Sequence, residues 1–131
     1  MLILDEFIRS KIIIYEQYFI PEIKKLDGEN QPFQLPKDYD EKRKIGENDN
    51  EICELIRNDS IEEFIIYVNK NDYPLKDQIM PSIYETNSYL LMTPPNLIEY
   101  SAFFGSCSIF KYLFHNGAEI KPSIWAYAVY C

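Results

Sequence analysis

The sequence predicts an all-α protein built from short antiparallel helix pairs. Two observations carry most of that expectation. Apolar side chains recur at spacings of three and four along several stretches, which lines one face of a helix. Short breaks rich in Gly, Asn, Asp and Pro separate those stretches. A third observation is internal: Asp59-Ser60 followed by Phe64 and Val68 echoes Gly105-Ser106 followed by Phe110 and Phe114.

Along the chain, Leu4, Ile8, Ile12, Tyr15 and Phe19 predict an amphipathic N-terminal helix that Pro21 ends, giving a helical segment over residues 1–26. The β-branched run Ile12-Ile13-Ile14 keeps a strand reading open there. Residues 27–47 shift to Gly28, Pro32, Pro36, Gly46 and many charged side chains, the composition of a polar linker. Lys42-Arg43-Lys44 falls among Asp38, Asp40, Glu41, Glu47 and Asp49 and is expected in a solvated loop.

A repeat region is expected over residues 48–131. Ile52, Leu55 and Ile56 line a first helix, and Ile61, Phe64, Ile65 and Val68 a second. Asp59 or Ser60 is expected to cap the second helix, and Glu62 and Glu63 suit the positive end of its dipole. Between residues 77 and 93 Pro81 and Ser82 could open a helix through Ile83 and Tyr84, while Tyr89-Leu90-Leu91-Met92 reads equally as a strand or a helical turn. Leu97, Ile98, Ser101 and Ala102 then predict another helix, Gly105 a break, and Ile109, Phe110, Leu113 and Phe114 its partner. Gly117 suits the position just past a helix end, where positive φ costs glycine little. Ile124, Trp125 and Ala128 begin a last helix.

A chain of 131 residues with 47% apolar and 15% aromatic composition can form one modest domain. Its formal charge of −8, from 21 acidic and 13 basic residues, repels a phosphate backbone, so nucleic acid is not expected as a partner. Arg9, Lys11 and Glu16 interrupt the N-terminal apolar stretch, so no membrane span is expected, and Asp5 and Glu6 stand where a signal peptide needs basic residues. Cys53, Cys107 and Cys131 match neither a disulfide framework nor a zinc pair, which fits a reducing compartment. The cytoplasm is the expected location, with the nucleus open as an alternative.

The stretch from Asn96 to Gly105, Asn96-Leu97-Ile98-Glu99-Tyr100-Ser101-Ala102-Phe103-Phe104-Gly105, resembles the T-P-L-H-x-A-A-x-x-G opening of an ankyrin repeat. The continuation Ser108-Ile109-Phe110-Lys111-Tyr112-Leu113-Phe114-His115-Asn116-Gly117-Ala118-Glu119-Ile120 is similar to the E-I-V-K-L-L-L-x-x-G-A-D-V that follows. With Ile52–Asp59 and Pro81–Asn87 added, the likeness covers about residues 44–131 and points to the divergent ankyrin-repeat proteins of unicellular eukaryotes. It implies a short stack of helix pairs, with Ile109, Leu113 and Phe114 filling the layer between repeats and Gly105 making the inter-helix turn. The histidine and threonine of the family tetrad are replaced here by Glu99 and Asn96. Ile124-Trp125-Ala126-Tyr127-Ala128 aligns with Ile98–Ala102, and the last repeat is incomplete.

Chemistry finds little support in the residues. Cys107 and His115 would lie roughly 12 Å apart along one helix, too far for direct proton transfer. No nucleotide-, zinc- or calcium-binding motif is present, and neither a cofactor nor a metal is expected. The expectation is a non-catalytic protein–protein interaction module whose partner is an unidentified protein. The resemblance places its outward positions at Phe103, Phe104, Glu119 and Lys121, with Trp125 as an anchor of the kind that dominates interfaces; Phe103 and Phe104 read equally as packing against the linker. Two further expectations stand beside it: a truncated repeat fragment that self-associates through its exposed C-terminal helix, and, last, a cysteine-dependent enzyme.

Overall fold

The computed structural model describes residues 36–129. The expected N-terminal helix of residues 1–26, the first part of the expected linker, and Cys131 lie outside the described residues. Among the described residues the chain is helical, with no strand and one isolated bridge between Gln78 and Asn96. The helices are α1 (Tyr39–Ile45), α2 (Glu51–Arg57), α3 (Ile61–Asn71), α4 (Ser88–Met92), α5 (Leu97–Phe103), α6 (Cys107–His115) and α7 (Ile124–Val129).

The all-α expectation holds, and the spacing of apolar residues is the reason. In α2, Ile52 and Ile56 are buried; in α3, Phe64 and Val68; in α6, Ile109 and Leu113. Each pair lies four residues apart and so shares one face. Burying a Leu, Ile or Phe side chain stabilises a fold by about 1.5–3 kcal/mol, and these faces meet in one cluster that also includes Leu90, Leu97, Ile98 and Tyr127.

Helix α2 packs on α3 and α5 on α6; α2 also touches α5, α3 touches α6, and α7 lies on α5. Helix α5 is therefore central. Its residues Leu97, Ile98, Glu99, Tyr100, Ser101 and Phe103 are all buried.

The two inter-helix turns match closely. Asn58 and Phe104 take φ/ψ of −84/−3 and −92/2, and Ser60 and Ser106 take −77/74 and −78/77. Between them Asp59 and Gly105 both adopt positive φ, at 49° and 67°. The backbone bonds correspond as well: Ser60 N donates to Leu55 O and Ser106 N to Ser101 O, while Phe64 N donates to Ser60 O and Phe110 N to Ser106 O. The weak internal echo in the sequence is thus a repeated turn in three dimensions.

Three local expectations need correction. Residues 39–45 form α1 rather than a solvated loop. Its hold on the rest is non-local: the Tyr39 and Tyr84 rings lie 5.6 Å apart, Arg43 Nη1 donates to Ile83 O at 2.6 Å, and Thr86 N donates to Gly46 O at 3.0 Å. No helix opens at Pro81, because the Ser82 hydroxyl donates to Asp49 and accepts from Tyr84 N, which turns the chain instead. Of the two readings of Tyr89–Met92, the helical one is realised in α4, capped by Asn87.

The third correction concerns capping. Neither Asp59 nor Ser60 caps α3 with its side chain. The Asp59 carboxylate reaches forward to the next pair and accepts from Ser108 N at 3.0 Å and Ile109 N at 2.9 Å, covering the first turn of α6. Burial pushes that carboxyl up, but the bonds from Ile109 and Ser108 outweigh it and leave the group below its ordinary value of 3.8. Ser106 adds a second link by donating its hydroxyl to Ile56 O.

Candidate interaction surface

The five residues expected to meet a partner divide three ways. Phe103 is 7% exposed and belongs to the core, so its expected surface role is withdrawn. The reason is the central position of α5, enclosed by α2, α6 and α7.

Phe104 is half-buried and held by rings on two sides, 4.7 Å from Tyr100 and 4.9 Å from Phe103, with the Arg57 guanidinium 6.0 Å from its centroid. Arg57 is the hub of this corner. Its Nη1 donates to Asn48 O at 2.8 Å and to Tyr100 Oη at 2.9 Å, and its Nε pairs with Glu47 at 3.1 Å. Phe104 thus covers a structural network with one face and has only the other to offer.

Glu119 and Lys121 are exposed and come together at a cleft of about 170 Å³ that Leu75, Lys76, Asn96, Ile98 and Ala118 also line. The cleft forms where the loop after α3 approaches the loop after α6. Of its lining residues Asn96 is held by Glu99: Asn96 Oδ1 accepts from Glu99 N at 2.9 Å, and Glu99 Oε2 accepts from Asn96 N at 3.0 Å. This reciprocal pair is a capping box. The other Glu99 oxygen accepts from Ser123 Oγ at 2.6 Å and so ties the approach to α7 onto α5.

Trp125 is 73% exposed. Val129 belongs with it to the exposed C-terminal helix expected from the sequence, whereas the exposure of Phe114 and Ile120 was not foreseen. Val129, one turn further along α7, is 79% exposed, Phe114 is 50% and Ile120 is 48%. Phe114 was expected inside the layer between repeats and lies outside it. The signal was the last turn of α6, where Ile109 and Leu113 take the buried face and leave Phe114, one residue on, rotated by about 100°.

Compared with family models, with curated proteins and with solved structures, the chain matches none. What the surface can do is therefore argued from its own geometry.

The thiols offer no assembled nucleophile among the described residues. Burial pushes the Cys53 thiol up to about 12, against a smaller lowering by Arg57, which is the opposite of what a reactive cysteine needs. Cys107 is exposed at the first turn of α6 and His115 stands at its last. The buried Glu85 carboxyl is raised by burial, in spite of the amide of Asn87 that donates to it at 2.8 Å. It lines a small, partly open pocket of about 20 Å³ with Asn48 and Tyr100, the space of roughly one water molecule. Among the described residues no helix is long and apolar enough to cross a membrane.

Proposed function

We propose that this chain is a non-catalytic, cytoplasmic protein-binding module of divergent ankyrin-repeat type, with 48–131 as the repeat region. The observation that carries the binding role is the exposure of Trp125 and Val129, one turn apart on α7, together with exposed Glu119 and Lys121 at a cleft. Large apolar side chains gathered outside a core mark a surface that another molecule covers. The repeat assignment draws support from the matched turns around Asp59 and Gly105 and from the capping box that stands in for the family tetrad.

The binding set is Glu119, Lys121 and Trp125, with Phe104 at the margin. Affinity capture from a cell extract tests it, using the intact chain, a Glu119→Ala/Lys121→Ala variant and Trp125→Ala. One protein should be retained by the intact chain and at least about tenfold less by each variant. Retention of nothing above background, or retention indifferent to all three changes, overturns the reading.

The same exposed group favours a second reading, a repeat fragment that self-associates. Light scattering separates the two: a monomer that melts sharply supports the module, and a mass that grows with concentration supports self-association.

A further inference from the structure

Residues 39–50 and 80–86 hold each other along most of their length. Asn48 and Asn50 both donate their side-chain amides to Met80 O, at 2.8 and 3.0 Å. Ser82 Oγ donates to Asp49, Arg43 Nη1 donates to Ile83 O, and Thr86 gives both its amide and its hydroxyl to Gly46 O at 3.0 Å. The Tyr84 ring meets that of Tyr39 and has the Lys42 ammonium 5.1 Å from its centroid. The joint is thus polar and aromatic.

The rest of the fold is held differently. Helices α2 to α7 all contribute to one apolar cluster, in which, among the described residues, only Cys53, Ile52 and their like from α2 onward take part and neither 39–50 nor 80–86 supplies a side chain. Helix α1 is also outside the principal helix-on-helix contacts. One tie between the joint and that apolar body is Arg57 at the end of α2, which donates to Asn48 O and pairs with Glu47. Stretches held by hydrogen bonds at an edge open more readily than a packed core, and they do so as contiguous units.

Glu85 lies inside the joint. Its buried carboxylate accepts from Asn87 N at 2.8 Å and, across the joint, from the amide of Asn48. Arg57 and Cys53 of α2 and Tyr100 of α5 face it, and the Arg57 guanidinium is shared with Glu47; Asp49, on the same loop, is paired with Lys42. Burial outweighs the amide bonds and the Arg57 charge, so the carboxyl stands above its ordinary 4.5.

We propose that residues 39–50 and 80–86 form a latch that opens as one unit while the apolar body stays folded, and that the Glu85 carboxylate sets how tightly the latch closes. Opening frees Asn48 and so widens the pocket it lines with Leu90, Pro95 and Tyr100. It also returns the Glu85 charge to water, which favours the open state once the group is ionised. Closure is therefore tightest below 4.5, where the carboxyl is protonated whether the latch is open or shut, and it weakens as pH rises through the raised closed-state value.

Native-state hydrogen exchange on the full chain tests this. The amides of Gly46 and Thr86, which donate to Lys42 O and Gly46 O, should share one opening, populated at least about tenfold more than the opening that exposes Tyr100 and Phe104 in α5. Arg43→Met, which removes the bond to Ile83 O, should speed both latch amides about tenfold and leave Tyr100 and Phe104 unchanged. Glu85→Gln should slow the latch amides at neutral pH. Once intrinsic exchange rates are divided out, it should also abolish the rise in opening that the intact chain shows as pH climbs from 4.5.

Exchange of Gly46 and Thr86 together with the α5 amides overturns the latch, and so does a variant that speeds one of the two without the other. Faster exchange in Glu85→Gln, or a pH dependence that survives it, overturns the role of the carboxylate.

Discussion

Removing the Asp59 carboxylate should loosen the second helix pair from the first. Two amides of the α6 first turn, Ser108 N and Ile109 N, lie 3.0 and 2.9 Å from its oxygens. Losing a cap of this kind costs about 0.5–2 kcal/mol. The residue also sits at φ 49°, where a Cβ-bearing residue without a locally bonding side chain is disfavoured by about 1–2 kcal/mol. The two effects separate by substitution. Asp59→Asn keeps an acceptor and tolerates the backbone, losing only the charge at a helix start, about 0.3–1 kcal/mol. Asp59→Gly loses the cap but is at ease with the backbone, while Asp59→Ala loses the cap and keeps the strain.

Urea unfolding should therefore order the stabilities as native, Asn, Gly, Ala, with Ala about 2 kcal/mol below native and the slope unchanged. A pH signature accompanies this. The folded-state value of Asp59 lies below the ordinary 3.8, so its contribution is complete above that value and disappears as pH falls through the folded value. Asp59→Asn should lack that acid-side loss. Equal midpoints for all four proteins would refute the cross-unit cap, and a Gly variant weaker than Ala would refute the strain argument.

Phe103→Ala should destabilise by about 3–5 kcal/mol, as expected for a buried ring, whereas Trp125→Ala should stay within about 0.5 kcal/mol; thermal melting compares them directly. Gly46→Ala should cost more than about 1 kcal/mol, because φ is +72° there and an added Cβ would collide with the Thr86 side chain. An exposed-thiol reagent on the folded chain should label Cys107 rapidly and Cys53 only on unfolding, read by mass spectrometry after digestion. Rapid labelling of Cys53 in the folded protein would contradict its buried place on α2 beside Tyr100.

Much of the helical plan was legible because it is written locally. Residues such as Phe64 and Val68 repeat at the period of a helix, and the four residues from Asn96 to Glu99 carry the local signature of a capping box, although the sequence reading sees in them only replacements in the family tetrad. What escaped depends on partners far along the chain. Helix α1 carries mostly charged residues, and its one buried side chain, Tyr39, finds its neighbour at Tyr84. Asp59 stands at the right distance to cap its own helix, yet its backbone turns left-handed and aims the side chain at a helix 49 positions away from the residue.

The candidate surface was half legible for the same reason. Glu119, Lys121 and Trp125 follow loops and ends that a pattern can locate. Phe103 sits in an outward slot of that pattern, but α5 has neighbours on every side. Phe114 reads as filler because it is large and apolar, and only the absence of a covering helix among the described residues exposes it.

The forward reach of Asp59 has a bearing on how the chain folds. The turn between α2 and α3 holds a residue in a disfavoured backbone state, and its return comes only once α6 has docked. The corresponding turn at Gly105 makes no such demand, since glycine is at rest there. The first unit is consequently the dependent one: before the second is in place its turn is strained and its carboxylate unpaired. Formation of the two units is thereby joined into one event, and the amides of the first turn of α6 should open to exchange together with the α2–α3 turn rather than with the end of their own helix.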